Sequence, residues 1–202
     1  MTDDPRRQNI ALIGETEIGK TTAFMKMIDD YDRGMVTILN YQNEPDICEA
    51  YPEIPLYPEN DSPACIANQV KGVYQCQTTD WKGFIGEQLK NYHRDSKKSG
   101  MIVLDDASSY VLHLYQPLLD LMIGLRHKKL DIIHVHHQLW RVPPFIIDNC
   151  QVLILFKTGE AIEKGDVKRF RHGDKIMEAQ RIVEAHPDKH FCKMVKLTGY
   201  QP

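Results

Sequence analysis

One pattern constrains the fold of this chain more than any other: an apolar run, a loop bracketed by two glycines, and then a helical pattern. The loop, residues 14–21, reads GETEIGKT and matches G-x-x-x-x-G-K-[ST] without deviation. Residues 9–13 are a short apolar run typical of a buried strand, and apolar residues recur at helical spacing over residues 20–31. Strand, loop and helix in this order are the context that a phosphate-binding loop requires.

Each residue type in the loop has a physical reason. Gly14 and Gly19 permit backbone conformations closed to other residues, so successive N–H groups can face a phosphate, and the helix that starts at Lys20 adds its positive dipole end. Lys20 supplies a charge to the β- and γ-phosphates, and the Thr21 hydroxyl is a magnesium ligand. The alternative is a plain glycine turn. We expect the following residues to bind ATP and Mg²⁺: Gly14, Glu15, Thr16, Glu17, Ile18, Gly19, Lys20, Thr21 and Thr22.

A pair of acidic residues, Asp105 and Asp106, follows the apolar run at residues 101–104. Ligands of open α/β sheets bind at the carboxyl ends of such buried strands. A triphosphate site needs one group that holds magnesium and another that orients the attacking water. We therefore predict that Asp105 holds Mg²⁺, through water, and that Asp106 activates the attacking water. The alternative is that both aspartates merely cap the following turn.

The strand predicted at residues 131–135 leads into a polar group that ends with Gln138. In P-loop ATPases with an extra strand between the phosphate-loop and acidic strands, a polar residue at this place senses the γ-phosphate, and we expect Gln138 to do so. His134 and His136 point to one face because side chains alternate along a strand. They could bind a metal, but no third ligand is evident, so packing or hydrogen bonding in the core near the site is the favoured interpretation.

Two arginines are candidates for a finger that reaches a neighbouring subunit's γ-phosphate, because charge on the transferred phosphoryl group rewards a fixed cation. Arg126 ends a long helix predicted at residues 109–126, and Arg141 follows the strand of Gln138. The alternative for each is a surface arginine. Short basic groups, including residues 168–172, are interpreted as solvated faces in preference to DNA contacts.

The predicted fold class is α/β, because the opening strand, helix and strand form a βαβ unit and the apolar runs suit a sheet covered on both faces. We expect a P-loop core with a mostly parallel central sheet flanked by helices, and a final edge strand at residues 191–197. A length of 202 residues fits one domain, 1–202. Within it we predict an irregular proline-rich insertion at 43–72, a helix at 81–94, an extended turn at 141–144 and a helical and strand extension at 159–202.

Composition excludes some classes. The net charge is −3, which gives no support to non-specific binding of polyanions. The five cysteines are scattered and form no Cys-x-x-Cys, which indicates free thiols in a reducing compartment. Neither a signal peptide nor an apolar stretch long enough to span a membrane is visible, so we expect an intracellular protein.

The motif series resembles that of the FtsK–HerA superfamily, and in particular its small genome-packaging ATPases of icosahedral viruses with membranes, including the poxvirus-type branch. The residues that carry the resemblance are 14–21, 102–106 with its Asp-Asp pair, 125–127, 132–138, and the segments 142–149 and 153–156. The resemblance implies a RecA-like core of the ASCE class, a homohexameric ring, an arginine acting in trans and ATP-driven translocation of viral or phage DNA into a preformed capsid. It also implies capsid or virion membrane proteins as partners, and a location in the host cytoplasm or in the virion.

Other functions stay open at this stage. An ATP-dependent assembly or secretion factor, similar to the Zot-type proteins of filamentous phages, is the main alternative, although no membrane helix is visible to anchor it. A nucleotide kinase would need an arginine-rich lid, and no arginine cluster lies between Asp106 and Gln138. A GTPase would need an Asn-Lys-x-Asp motif, which does not occur. A non-catalytic ATP switch predicts that Asp106→Asn leaves turnover unchanged.

Overall fold

The fold is built around one seven-stranded sheet. A computed structural model describes residues 8–32, 34–53, 72–77, 79–80, 83, 100–109, 118–119, 122, 130–159 and 164–197. The strands are β1 Asn9–Ile13, β2 Met35–Leu39, β3 Gly72–Cys76, β4 Gly100–Leu104, β5 Leu130–His136, β6 Val152–Leu155 and β7 Lys193–Lys196. The described helices are α1 Lys20–Asp29, α2 Pro45–Ala50, α3 Pro144–Asn149, α4 Lys164–Val167 and α5 Gly173–Ala185, with 3₁₀ turns at Ala107–Ser109 and Leu139–Arg141.

The strands lie in the order β3-β2-β4-β5-β1-β6-β7. All neighbouring pairs are parallel except β6 and β7, which are antiparallel. The predicted α/β fold, with its mostly parallel sheet and C-terminal edge strand, is therefore confirmed. Strand β5 lies between the phosphate-loop strand β1 and the acidic strand β4, which is the position that a γ-phosphate-sensing strand requires.

Both faces of the sheet are covered, which explains the continuous apolar runs of the sequence. On one face, Leu12 and Val135 pack with Phe24 and Ile28 of α1. On the other face, Ile13 and Ile132 belong to a core that includes α3 and α5. Alternate residues of the central strands therefore enter different cores, one on each face of the sheet.

Two prolines begin helices, where the sequence predicted irregular or extended chain. Pro45 starts α2 inside the segment predicted to be irregular, and Pro144 starts α3 where an extended turn was predicted at residues 141–144. Proline suits the first position of a helix because that position has no intrahelical use for its N–H group. The prediction of an extended turn at 141–144 was therefore wrong at both ends, because Arg141 ends a 3₁₀ turn and Pro144 begins α3. Most of the helices predicted at 81–94 and 109–126 lie outside the described residues.

Two further predictions can be placed. The cysteines at positions 48, 76, 150 and 192 are free thiols, as expected, and Cys65 lies outside the described residues. Among the helices that the structure describes, none has the length and apolar character needed to cross a membrane.

Candidate functional site

The phosphate loop leaves β1 at the carboxyl edge of the sheet and is fixed there by the neighbouring strands. Gly14 N donates to His136 O at 3.1 Å, and Glu15 N donates to Lys157 O at 2.9 Å. A Cβ on Gly14 would lie 2.6 Å from Phe156 Cβ and 3.0 Å from Lys157 O, so no side chain fits there. Gly19 has a φ of 91°, in the left-handed region that favours glycine. Both glycines of the motif are therefore required by the geometry.

Lys20 lies inside the loop that precedes it. Its Nζ donates to Gly14 O at 2.7 Å and to Glu15 O, and the residue is 6% exposed. Burial lowers the pKa of Lys20 to about 8, while the charges of Asp105, Asp106 and Glu15 act in the opposite direction. The structure thus brings the lysine of the phosphate loop and the acidic pair of β4 within electrostatic reach of each other.

The first acid of the pair, Asp105, is buried at the end of β4, and its N–H group donates to Leu39 O at 3.2 Å. Burial, and then the neighbouring charge of Asp106, raise the pKa of Asp105 to about 6. Because burial disfavours the ionised form, a nearby cation would stabilise it. Asp105 is therefore a carboxylate whose ionised form a bound cation would stabilise.

The second acid, Asp106, is held by donors from three parts of the chain. Its Oδ1 lies 2.9 Å from Nε2 of His137, and its Oδ2 accepts from Gln42 Nε2 at 2.8 Å and from Ser109 Oγ. Burial opposes ionisation, but the hydrogen bonds from His137, Ser109 and Gln42 outweigh it and lower the pKa of Asp106. Asp106 is therefore the ionised, oriented carboxylate of the pair.

Gln42 and His137 are site residues that the sequence analysis missed. Gln42 follows β2, which neighbours β4, and His137 follows β5, on the other side of β4. The positions of Gln42 and His137 after their strands are a signal for this role, because parallel strands that flank an acidic strand place their next residues beside the acids. It could be used only once the strand order was known.

The other predicted residues of the site are distributed around this edge. Gln138 is half-buried in extended backbone directly after His137, and Arg141 is exposed at the end of the following 3₁₀ turn. In the loop, Ile18 is buried, Gly19 and Thr21 are half-buried, and the remaining predicted residues Glu15, Thr16, Glu17 and Thr22 are exposed. Arg126 lies outside the described residues. No contact of Gln138 with the loop is among the hydrogen bonds that the described residues form.

His134 and His136 are fully buried on one face of β5, as the alternation predicts, with ring centroids 6.1 Å apart. His136 Nδ1 lies 3.4 Å from Ser108 Oγ, whereas neither ring nitrogen of His134 has a partner in the described part of the chain. Burial lowers the pKa of His134 to about 3 and that of His136 well below its usual value. Both rings are therefore neutral, and the described residues contain no cluster of three or more His, Cys, Asp or Glu side chains able to hold a metal ion.

The residues predicted to hold Mg²⁺ fit that ion by their chemistry. Thr21 is half-buried in the first turn of α1 and offers a hydroxyl oxygen, and Asp105 offers a buried carboxylate. Oxygen ligands of this kind, completed by water and phosphate oxygens, are what Mg²⁺ prefers.

The C-terminal extension contacts the segment that holds the phosphate loop. The segment after β6 is tied to α5, because Thr158 N donates to Glu184 Oε1 at 2.8 Å and Gln180 Nε2 donates to Thr158 Oγ1 at 2.7 Å. The same segment supplies the Lys157 carbonyl that accepts from the phosphate loop. Helix α5 therefore helps to position the phosphate loop through residues 157 and 158. No motif in the sequence predicts this role.

Solved structures of other proteins share this fold. The genome-packaging NTPase B204 of Sulfolobus turreted icosahedral virus 2, in complex with ATP-gammaS, superposes with a TM-score of 0.71 at 12% identity, covering 95% of this chain and 92% of that one. The DNA-packaging ATPase B204 of Sulfolobus turreted icosahedral virus gives 0.67 at 14% identity, with coverages of 95% and 98%. ATPases 2 and 3 of EssC from Geobacillus thermodenitrificans give 0.56 at 12% identity, covering 94% of this chain and 37% of that one.

No protein-family model and no curated protein matches the sequence. The structural matches therefore carry the comparison, and at these identities they concern the fold. That fold, an α/β domain with a mostly parallel sheet, is shared with these genome-packaging NTPases over nearly the whole chain, and it is the fold that the resemblance of the motif series implies.

Proposed function

We propose that this protein is an ATP-hydrolysing motor that moves viral or phage DNA into a preformed capsid. The observation that carries the proposal is the meeting of Lys20, Asp105 and Asp106 at one edge of the sheet, where their charges interact. The fold shared with a genome-packaging NTPase over 95% of the chain supports the packaging role.

In this proposal each group at the edge has one task. The loop amides and Lys20 bind the β- and γ-phosphates of ATP, and Thr21 and Asp105 hold Mg²⁺. When bound, the ion neutralises charge on the phosphate oxygens. Asp106, kept ionised by its three donors, orients the attacking water and accepts its proton. Gln138 senses the γ-phosphate, and Arg126 or Arg141 stabilises the transition state across a subunit boundary.

The partners follow from the same proposal. A translocating ATPase works as a ring, and we propose a homohexamer with DNA, together with capsid or virion membrane proteins at the packaging vertex. Location in the host cytoplasm, or in the virion, belongs to the same proposal. A net charge of −3 is compatible with a DNA-binding ring, because each subunit repeats the same local basic groups.

The test is ATP turnover with and without DNA, combined with mass measurement with and without nucleotide. We expect hydrolysis that rises when DNA is added and a nucleotide-stabilised oligomer. Turnover that is indifferent to duplex and single-stranded DNA alike would contradict the motor, and a monomer that phosphorylates a nucleotide would identify a kinase. Lys20→Ala, with no turnover under any condition, serves as the background control.

A further inference from the structure

The basic segment after α4, residues 168–175, lines a cleft on the surface. The cleft has a volume of about 430 Å³, and Lys168, Arg171 and Lys175 are exposed along it. One acid, Asp174, also lines it. Among the described residues the ion pairs are His137 with Asp106 and Arg181 with Glu178, so the side chains of Lys168 and Arg171 form no ion pair there. One further acid is close, because Asp148 Oδ1 accepts from the backbone N–H of Arg171 at 2.8 Å. The cleft therefore carries the cationic side chains of Lys168 and Arg171, which no ion pair among the described residues holds.

An exposed aromatic side chain lies next to this segment. Trp140 is 54% exposed, and the guanidinium of Arg141 lies 4.9 Å from its ring centroid. Arg169 Nη2 donates to Leu139 O at 3.1 Å and to Trp140 O at 2.5 Å, which ties the turn after β5 to the basic segment. We name the combined area, formed by Trp140, Lys168, Arg169, Arg171 and Lys175, the basic surface.

The composition of the basic surface indicates its partner. Lysines and arginines whose side chains form no ion pair attract phosphate, and an exposed indole offers a flat face on which a nucleotide can stack. An acidic protein surface would pair with the charges of the basic surface, but its carboxylates would not stack on the exposed indole of Trp140. We propose that the basic surface binds DNA, with Lys168, Arg171 and Lys175 on backbone phosphates and Trp140 against a nucleotide, in place of the solvated face that the sequence alone favours for residues 168–172. This inference rests on the proposed function and assigns its DNA contact.

The position of the surface gives it a route to the hydrolytic site. Trp140 follows His137 by three residues, and His137 contacts Asp106. The intervening 3₁₀ turn, Leu139–Arg141, is short and is held by Arg169. DNA that contacts Trp140 therefore acts on the same backbone segment that carries a donor to Asp106, so DNA binding here can change the rate of hydrolysis.

The test compares two triple variants of the full chain. In the first, Lys168, Arg171 and Lys175 are each changed to Ala. In the control, Lys26, Arg181 and Lys193, exposed cations outside the basic surface, are changed to Ala. DNA affinity is measured by duplex titration at several salt concentrations. We expect the first variant to bind about 10-fold or more weakly, with a log–log salt slope reduced by about 0.9 for each phosphate that it no longer neutralises. Basal ATP turnover stays at the wild-type value, and its stimulation by DNA falls.

A second measurement does not depend on the triple variant. The chain has two tryptophans, so in Trp81→Phe the remaining emission comes from Trp140. We expect DNA to quench it, and an acidic polypeptide at equal charge to leave it unchanged. Wild-type affinity and slope in the first variant, or unquenched Trp140 emission, would overturn the assignment of the surface while the motor stands. Wild-type protein that neither binds DNA nor responds to it would overturn the motor as well.

Discussion

Strand β5 carries histidines in two contrasting regions. Within the strand, His134 and the last residue, His136, are fully buried and uncharged, and His134 has no hydrogen-bond partner among the described residues. One residue beyond the strand, the side chain of His137 is 37% exposed and contacts Asp106. The same residue type is thus a neutral packing element inside the sheet and a carboxylate ligand at its edge. The position of a histidine along the strand therefore determines which of these two roles it has.

The two aspartates after β4 repeat the contrast within one dipeptide. Burial raises the pKa of Asp105 to about 6, whereas donors from neighbouring segments overcome burial and lower the pKa of Asp106. An acid whose charged form burial disfavours, and which a cation would stabilise, suits the magnesium position, and an acid held ionised suits water activation. If the edge is functional and the interior structural, edge substitutions change turnover and leave stability unchanged, and interior substitutions do the reverse.

The largest effect is expected at Lys20. Lys20→Ala removes the buried cation of the phosphate loop, and we expect ATP binding and turnover to fall below detection. The matched control is Lys26→Ala, an exposed lysine of the same helix, which should keep both. Binding is measured with a fluorescent ATP analogue. Retained ATP affinity in Lys20→Ala would show that the loop does not bind the triphosphate.

The next effect is expected at Asp106. Asp106→Asn keeps the size of the side chain but removes its charge, and we expect turnover to fall by ~10²–10⁴, the usual contribution of a general base, with ATP binding retained. Glu178→Gln, an acid-to-amide change on the exposed face of α5, is the control. Unchanged turnover in Asp106→Asn would support a non-catalytic switch.

Much of the fold could be predicted from the sequence. The apolar runs at β1, β2 and β4 are continuous because both faces of a parallel sheet are buried, and this pattern is local. Helix α3 was not predicted, because prolines at positions 143 and 144 suit an extended turn as well as a helix start. The tertiary contacts of Ile146 and Ile147 with the core decide between these outcomes, and they are not encoded locally.

Less of the site could be predicted. The motif residues Lys20, Asp105 and Asp106 were found because their chemistry is tied to fixed spacing. Gln42 and His137 are separated by many residues in sequence, and they meet at Asp106 only because β2 and β5 flank β4. Strand order in a parallel sheet depends on the crossovers, which a single sequence does not specify.

A smaller effect is expected at His137, which would act as a positioning residue for Asp106. His137→Ala removes one donor of three, and we expect kcat to fall about 10- to 100-fold through misorientation, with KM unchanged. His137→Gln keeps an N–H donor and should recover part of the rate. His172→Ala, a half-buried histidine before α5, is the control. Equal kcat values for the Ala and Gln variants would contradict positioning through the hydrogen bond.

The smallest effect on turnover is expected at His134. His134→Leu replaces a buried ring without partners among the described residues by an apolar side chain of similar size, and we expect the free energy of unfolding to rise by about 1–3 kcal/mol at pH 7.5. Turnover should stay within about twofold of the wild type, a range in which the free-energy barrier is almost unchanged. His172→Leu, at the half-buried histidine before α5, is the control.

The pH dependence of unfolding tests the same residue more sharply. The pKa of His134 is about 3 in the folded protein and about 6.5 in the unfolded chain, so between these values the unfolded chain binds more protons. The free energy of unfolding therefore falls as pH is lowered below about 6.5, by at most about 1.4 kcal/mol per pH unit for this group. His134→Leu removes that decrease. The increase in the free energy of unfolding over the wild type, measured by urea unfolding, should therefore be larger at pH 5.5 than at pH 7.5. An increase in the free energy of unfolding that is the same at both pH values would contradict a lowered pKa of His134. Turnover that collapses while stability rises would place His134 in the functional edge and break the contrast along β5.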